Sequence, residues 1–158
     1  RSDTRAYVDA DTTQAAALDP QRRVLDARAA ERYRGEVEPI DPVAGHVPGA
    51  LNHPSSGVVA ADGRLLPPAE LARAFAQSLG PVAPTDTITM CGSGVTACHL
   101  LLAMEHAGLP GARLYPGSWS EWCNTPGRPC ALSAGPLNPG SSGQYWGPTG
   151  PGKPAWPG

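Results

Sequence analysis

The most informative part of the chain is residues 87–97, which read Thr87-Ile88-Thr89-Met90-Cys91-Gly92-Ser93-Gly94-Val95-Thr96-Ala97. The β-branched residues at its start favour a strand. The two glycines that follow permit a sharp turn. The next residues, from about Thr96 to Ala107, are mostly apolar and predict a helix that Gly108 ends. A strand, a glycine-bearing turn and a helix in this order are typical of α/β proteins.

A cysteine at this turn stands where chemistry is expected. In parallel sheets, functional sites form beyond the carboxyl ends of the strands, and the turn after Met90 lies at such an end. The glycines let successive N–H groups point inward as an anion-binding nest, and the following helix directs its positive end at the same spot. A free thiol titrates near 8.5, whereas thiols at helix N-termini titrate at roughly 3.5–7.5. We therefore predict that Cys91 is a nucleophilic thiol.

Three other interpretations of this motif are weaker. A buried, inert cysteine is common, but it has no need of a Gly-x-Gly turn. Gly92, Gly94 and Ala97 fit the dinucleotide-binding pattern, yet residues 110–118 lack the acidic residue that would bind the ribose. A cysteine phosphatase needs an arginine to close the loop on phosphate, and Ala97 stands at that position. A dinucleotide-binding domain is thus a remote alternative.

The rest of the chain predicts strands and helices in alternation. Leu71, Phe75 and Leu79 recur every four residues, as on the buried face of an amphipathic helix, and Gly80 stops it. The other expected elements are a strand at 6–8, a capping box at 11–14 before a helix, a strand at 23–27, a turn at 45–51 leading into an extended piece, a strand at 112–115 and a brief helix bearing Trp119 and Trp122. This alternation implies a parallel sheet of about five strands with helices on both faces.

Composition and charge exclude several classes of protein. The 158 residues suffice for one domain, and 14 acidic against 12 basic residues give a net charge of −2, which excludes the basic footprint of a nucleic-acid-binding protein. No apolar run of about 18 residues is present, so we expect no membrane span. The four cysteines lack the spacing of a zinc site, and we therefore expect reduced thiols, no metal and a cytoplasmic location.

The chain divides into three segments. We assign residues 1–10 to a linker-like segment, 5–132 to the α/β domain and 133–158 to a tail. The tail holds thirteen of the 38 Gly and Pro residues and a single charged residue, Lys153. This composition predicts a disordered extension. The alternative is a proline-rich ligand for the aromatic groove of a partner.

Four stretches resemble the rhodanese-like sulfurtransferases, and the resemblance covers about residues 5–130. They are Val24-Leu25-Asp26-Ala27-Arg28, Gly45-His46-Val47-Pro48-Gly49-Ala50, Cys91 to Ala97, and Gly117-Ser118-Trp119-Ser120-Glu121-Trp122. The chain looks like the second, catalytic half of a tandem-domain 3-mercaptopyruvate/thiosulfate sulfurtransferase, with the preceding domain absent from this chain. The loop Cys-Gly-Ser-Gly-Val-Thr resembles the 3-mercaptopyruvate type.

The resemblance implies a sulfur relay with no cofactor. Cys91 would take the outer sulfur of 3-mercaptopyruvate or thiosulfate as a persulfide and pass it to a thiol or to cyanide. Ser93 resembles the loop hydroxyl that helps to move a proton, although a turn residue is an equal interpretation. Four loop residues would bind the anion through the backbone: Gly92, Gly94, Val95 and Thr96. A non-enzymatic binding or regulatory module of the same fold is the second function class.

Several residues outside the loop also match the family. Arg32 matches its substrate-binding arginine, and a guanidinium suits a carboxylate or sulfonate. Nine residues on, where the mercaptopyruvate members usually place another arginine, the chain carries Asp41, so donor preference stays open. Asp26 and Arg28 are expected to form a structural ion pair. His46 is expected to pack and to form hydrogen bonds.

Overall fold

The structure is a computed structural model, and it describes residues 6–132 and 144–146. Two single-turn 3-10 helices, Ser55–Val58 and Pro84–Asp86, connect larger elements. The larger elements are α1 (Ala10–Ala17), β1 (Arg23–Asp26), α2 (Ala30–Arg34), β2 (Leu51–Asn52), α3 (Pro68–Leu79), β3 (Thr87–Met90), α4 (Ala97–His106), β4 (Arg113–Leu114), α5 (Ser118–Asn124), β5 (Cys130–Leu132) and β6 (Gln144–Trp146).

Four of the strands form a parallel sheet in the order β2-β1-β3-β4. Asp26 at the end of β1 lies opposite Met90 at the end of β3, so the carboxyl ends of the two central strands are level. Tyr7 adds one parallel bridge to Leu114 beside β4. The predicted parallel sheet is confirmed, and the loop after Met90 leaves from the middle of its carboxyl edge.

Helices cover both faces of this sheet, as the alternating sequence pattern predicts. Side chains of α3 and α4 pack on one face in a cluster that includes Leu71, Phe75, Leu79, Leu100 and Met104. On the other face, α1 and α5 contribute Ala10, Ala16, Trp119 and Trp122. Neighbouring residues of β1 serve opposite faces, since Leu25 packs in the first cluster and Val24 in the second. Both tryptophans of α5 are fully buried.

Two local predictions differ from the structure. Helix α1 begins earlier than the expected capping box at 11–14, because Asp9 caps it by accepting a hydrogen bond from the Thr12 N–H at 2.8 Å. Asp11 lies inside the first turn and pairs with Arg128 at 2.6 Å instead. Helix α2 was not predicted. It has only five residues, and Gly35, with φ of +82°, ends it.

The described residues cover only part of the predicted linker and of the predicted tail. Residues 1–5, 133–143 and 147–158 lie outside the described residues, and so does most of the predicted disordered tail. Within that tail, residues 144–146 form β6, which runs antiparallel to β5. The domain boundaries stay predictions. None of the helices formed by the described residues combines the length and the apolar character that crossing a bilayer requires.

His46 has the packing role that the sequence predicts. Its ring stacks on Tyr33 with a centroid separation of 3.9 Å, and its Nδ1–H donates to the Tyr33 carbonyl oxygen at 2.7 Å. The other ring nitrogen, Nε2, is buried and has no hydrogen-bond partner among residues 6–132. Protonating Nε2 would bury a charge, and burial accordingly lowers the pKa of His46 to about 4.

This burial predicts a loss of stability in mild acid. Because the pKa of folded His46 lies below its ordinary 6.5, protonation favours the unfolded chain. Neutral His46 contributes fully to the free energy of unfolding above about pH 6.5. This contribution is lost as the pH falls through about 4, and the total loss is about 3 kcal/mol at most. The measurement is the free energy of unfolding in urea from pH 7 to pH 4.

Two variants test whether His46 causes this dependence of the unfolding free energy on pH. His46→Phe keeps the stacked ring and should flatten the pH dependence, whatever it costs in stability at neutral pH. Burial also lowers the pKa of His53, so a smaller slope should remain. The control His106→Asn, at an exposed site, should keep the full slope. An undiminished slope in His46→Phe would contradict the assignment.

Candidate functional site

The loop after β3 curls back on its own first residue. The N–H of Gly94 donates to the Sγ of Cys91 at 3.0 Å. Gly94 has φ of +93°, and a Cβ there would lie 2.7 Å from the carbonyl oxygen of Pro116. Only glycine fits this backbone. The loop therefore places a fixed N–H donor on the sulfur, as an anion-binding turn does.

The first turn of α5 holds the start of this loop. Ser118 Oγ accepts a hydrogen bond from the Cys91 N–H at 3.1 Å. The carbonyl oxygens of Cys91 and Gly92 accept from the N–H groups of Trp119 and Ser120, each at 2.9 Å. These three bonds fix the backbone at the start of the loop. A separate group, the N–H of Gly94, donates to the sulfur.

Ser118 is a positioning residue that sequence reasoning did not single out. It is fully buried and has φ of +53°, a left-handed conformation that a residue with a Cβ rarely adopts. Its hydroxyl accepts from the Cys91 N–H and donates to the Tyr115 carbonyl oxygen at 2.9 Å. The bonds on both sides offset the backbone strain. The one sequence signal for Ser118 was its position in residues 117–122, a stretch that carries the family resemblance.

A cleft of about 390 Å³ opens beside the loop. Its wall contains Arg28, Arg32, Asp41, Gly92, Ser93, Thr96 and Ser120. The predicted site residues therefore lie on two different sides of the loop. Gly94 and Val95 line a wider groove on the other side of the loop, with Tyr7, Cys98 and His99, and Ser93 borders both.

Arg32 lies directly against the loop. Its Nη1 is 3.2 Å from the position that a Cβ on Gly92 would take, so a side chain there would require the guanidinium to shift slightly. Its Nη2 donates to Glu38 Oε2 at 3.0 Å and to Asp41 Oδ2 at 3.5 Å. The predicted anion-binding arginine and the divergent Asp41 are therefore neighbours. Glu38, the closer carboxylate, was missed because nothing in its sequence context distinguishes it from a surface acid.

Asp26 and Arg28 form the predicted ion pair. Arg28 Nη2 lies 2.7 Å from Asp26 Oδ2, and both side chains are buried. The same Nη2 donates to the Gly45 carbonyl oxygen at 2.7 Å. The guanidinium carbon also lies 4.9 Å from the ring centroid of Trp119. The pair ties the end of β1 to the 45–51 turn and to α5, which is a structural role.

The thiols differ in their surroundings. Cys91, Cys98 and Cys123 are free, and Cys91 is only 1% exposed at the inner end of its loop. A small molecule in the cleft therefore meets Gly92 and Ser93 before it reaches the sulfur. Burial raises the pKa of Cys123 to about 11, and the charge of Asp41 adds to this effect. Among the described residues, no group of three or more His, Cys, Asp or Glu side chains is arranged to hold a metal ion.

Comparisons with known proteins show which family the chain is similar to. The family model of the rhodanese-like domain matches residues 9–125. A Pseudomonas aeruginosa protein named a probable 3-mercaptopyruvate sulfurtransferase is 50% identical over 129 residues, which cover 82% of this chain and 45% of that protein. A Mycobacterium tuberculosis protein provisionally named thiosulfate sulfurtransferase is 47% identical over 67% of this chain and 37% of its own length. The chain spans less than half the length of both relatives.

A solved structure supports the same fold. SseA from Escherichia coli, described with the rhodanese fold of 3-mercaptopyruvate sulfotransferases, superposes with a TM-score of 0.59 and 35% identity. The superposition covers 76% of this chain and 44% of SseA.

The geometry of Ser118 predicts an order of stability among its variants. Ser118→Ala removes both hydroxyl hydrogen bonds, leaves the buried Cys91 N–H without its partner and keeps the unfavourable φ. It should cost about 1–3 kcal/mol of unfolding free energy. Ser118→Gly loses the same bonds but adopts φ of +53° freely, so it should be about 1 kcal/mol more stable than the alanine variant.

Urea unfolding measures this order. Ser56→Ala, at an exposed site in the Ser55–Val58 turn, is the control and should stay within about 0.5 kcal/mol of the parent chain. Equal stability of the alanine and glycine variants would show that the positive φ stores no strain.

Proposed function

The chain belongs to the rhodanese-like domain family, and we propose that it is a sulfurtransferase in which Cys91 carries the sulfur. The donor is a small anion, 3-mercaptopyruvate or thiosulfate, and the acceptor is a thiol or cyanide. The observation that carries the proposal is the hydrogen bond from the Gly94 N–H to the Cys91 sulfur, in a loop beside a cleft. The names of the relatives support both donors.

The first half-reaction charges Cys91 with sulfur. The Cys91 thiolate attacks the outer sulfur of the donor and forms a sulfur–sulfur bond. With thiosulfate the old sulfur–sulfur bond breaks and sulfite leaves. With 3-mercaptopyruvate a carbon–sulfur bond breaks, and the departing carbanion takes a proton to become pyruvate. Ser93, which borders the cleft, is the proposed hydroxyl for that proton movement.

The second half-reaction returns the thiolate. The acceptor attacks the outer sulfur of the persulfide, and the electron pair of the breaking bond goes back to Cys91. Negative charge is present on the sulfur atoms at Cys91 at the start and end of both steps. A fixed N–H at 3.0 Å stabilises that charge without reorganising during the reaction.

Arg32 is the proposed anchor for the anionic part of the donor. Its Nη1 lies against Gly92, next to the reactive residue, while its Nη2 is held by Glu38 and Asp41. The two carboxylates fix the orientation of the guanidinium. A carboxylate or sulfonate that enters the cleft then finds a donor already in position.

A non-enzymatic module is the second candidate, and one observation favours it. Cys91 is only 1% exposed, so a donor reaches the sulfur only when the residues over it shift. Failure of both donors to add sulfur to Cys91 would support this alternative over the enzyme.

Persulfide formation at Cys91 tests the proposal. After treatment with thiosulfate or 3-mercaptopyruvate, intact-protein mass spectrometry should show one added sulfur atom, and cyanide should remove it. Cys91→Ser should show no addition and no turnover. The matched control is Cys98→Ser, which removes an exposed thiol of the same helix–loop region and should still take up the sulfur. Equal uptake by the Cys91→Ser variant would refute Cys91 as the carrier.

Replacing the proposed anchor should weaken donor binding. Arg32→Gln removes a charged hydrogen bond worth roughly 1.5–3 kcal/mol, and we expect KM for thiosulfate to rise roughly ten- to hundredfold. Arg34→Gln changes a half-buried arginine of the same helix that pairs with Glu36 and does not line the cleft, and it should leave KM within about twofold. Steady-state kinetics and the urea midpoint of each variant separate binding from folding. An unchanged KM in folded Arg32→Gln would remove Arg32 from the site.

A further inference from the structure

The charges around the cleft do not balance. Among the residues that the structure describes, two guanidinium groups, Arg28 and Arg32, face three carboxylates. Asp26 is neutralised by Arg28 at 2.7 Å, and Glu38 is held by Arg32 at 3.0 Å. Asp41 is the third carboxylate, and its contact with Arg32 is longer, at 3.5 Å. Asp41 therefore carries the surplus negative charge.

This surplus charge sits in the wall of the cleft and is fixed there. Asp41 Oδ1 accepts a hydrogen bond from Ser120 Oγ at 2.8 Å, and its side chain is 7% exposed. Ser120 in turn donates its N–H to the Gly92 carbonyl oxygen next to Cys91. The carboxylate is thus connected to the reactive loop through a single residue.

Glu38 bridges the two guanidinium groups. Its Oε1 lies 3.6 Å from Arg28 Nη1, its Oε2 lies 3.0 Å from Arg32 Nη2, and its side chain is 6% exposed. Both arginines are thus paired with carboxylates other than Asp41, since Arg28 also pairs with Asp26. Of the three carboxylates, Asp41 is the one that lines the cleft.

We propose that Asp41 selects sulfur acceptors that carry an ammonium group near the thiol, so that aminothiols receive the sulfur of Cys91 faster than anionic thiols do. The inference rests on the proposed persulfide at Cys91. The ammonium group of an aminothiol gains a carboxylate partner at Asp41, whereas the carboxylate of an anionic thiol is repelled by Asp41. Asp41 is a specificity-determining residue for the second half-reaction.

The step needs no added oxidant. The acceptor thiolate attacks the outer sulfur of the Cys91 persulfide and forms a new sulfur–sulfur bond. The bond between that outer sulfur and Cys91 breaks, and its electron pair regenerates the Cys91 thiolate. The proton that the acceptor thiol loses on becoming a thiolate passes to the outer sulfur of the Cys91 persulfide, so the acceptor leaves as its own protonated persulfide.

Single-turnover discharge measures the selection directly. The chain is loaded with excess thiosulfate, freed of donor and mixed with cysteamine, 2-mercaptoethanol or 3-mercaptopropionate. These acceptors are similar in size and carry a positive, a neutral and a negative group. Loss of cyanide-labile sulfur gives a rate constant for each, which is divided by the thiolate fraction of that acceptor.

The parent chain should prefer cysteamine over 3-mercaptopropionate. Asp41→Asn keeps the shape and an acceptor for Ser120, and it should lower this preference about tenfold. Asp41→Arg should reverse it. The control Asp62→Asn removes an exposed carboxylate that pairs with Arg64 at 3.8 Å and does not line the cleft, and the preference should not change.

The outcomes separate the two proposals. If no sulfur loads on Cys91, the proposed function fails and the selection fails with it. If loading is normal but Asp41→Asn keeps the preference of the parent chain, only the selection is overturned. If Asp41→Asn does not fold, the discharge rate of the parent chain is measured at several salt concentrations instead. Salt should slow discharge by cysteamine and speed discharge by 3-mercaptopropionate. Equal salt slopes for the two acceptors would overturn the selection.

Discussion

The hydrogen bonds between α5 and the start of the loop at Cys91 are the constraint on which the site depends. A short segment with two glycines has many conformations of similar energy, and ordering it costs about 1–2 kcal/mol per residue. Ser118, Trp119 and Ser120 oppose that cost by engaging the N–H of Cys91 and the carbonyls of Cys91 and Gly92. Helix α5 can do this because its Trp119 and Trp122 are fully buried in the core. The conformation of the loop is therefore set by residues almost thirty positions later in the chain.

This arrangement explains why the sulfur can be both buried and reactive in the proposed mechanism. A buried anion is costly unless a donor is fixed in place for it. The Gly94 N–H provides that donor, and the position of Gly94 against Pro116 prevents it from turning away. The cost of orienting the dipole is met when the chain folds rather than during the reaction. The same packing leaves Cys91 hardly exposed, with Gly92 and Ser93 between the sulfur and the cleft beside the loop.

The features predicted from sequence are those that a local pattern specifies. The spacing of Leu71, Phe75 and Leu79 gives α3, and the turn at Gly94 follows from its glycine. Local rules fail where two residues satisfy them equally or where the partner is distant. Asp9 and Asp11 are both suitable helix caps, and in the structure Asp9 caps α1 while Asp11 pairs with the distant Arg128. Ser118 and Glu38 act through residues that are far from them in sequence or lie on other elements, so neither carries a local signal.

The carboxylates around Arg32 have opposing effects on the proposed chemistry. Glu38 and Asp41 hold a largely buried guanidinium in one orientation, which favours a directional hydrogen bond to the donor. Their charge also cancels the field of the guanidinium beyond contact distance, so the cleft does not attract anions from solution as a free arginine would. Donor capture then depends on short-range contacts made after entry. The cluster has three carboxylates and two arginines, so a negative charge remains at Asp41 and acts on any charged group of the second substrate. In the proposed mechanism the cleft therefore binds an anion through Arg32 and attracts a cation at the neighbouring Asp41.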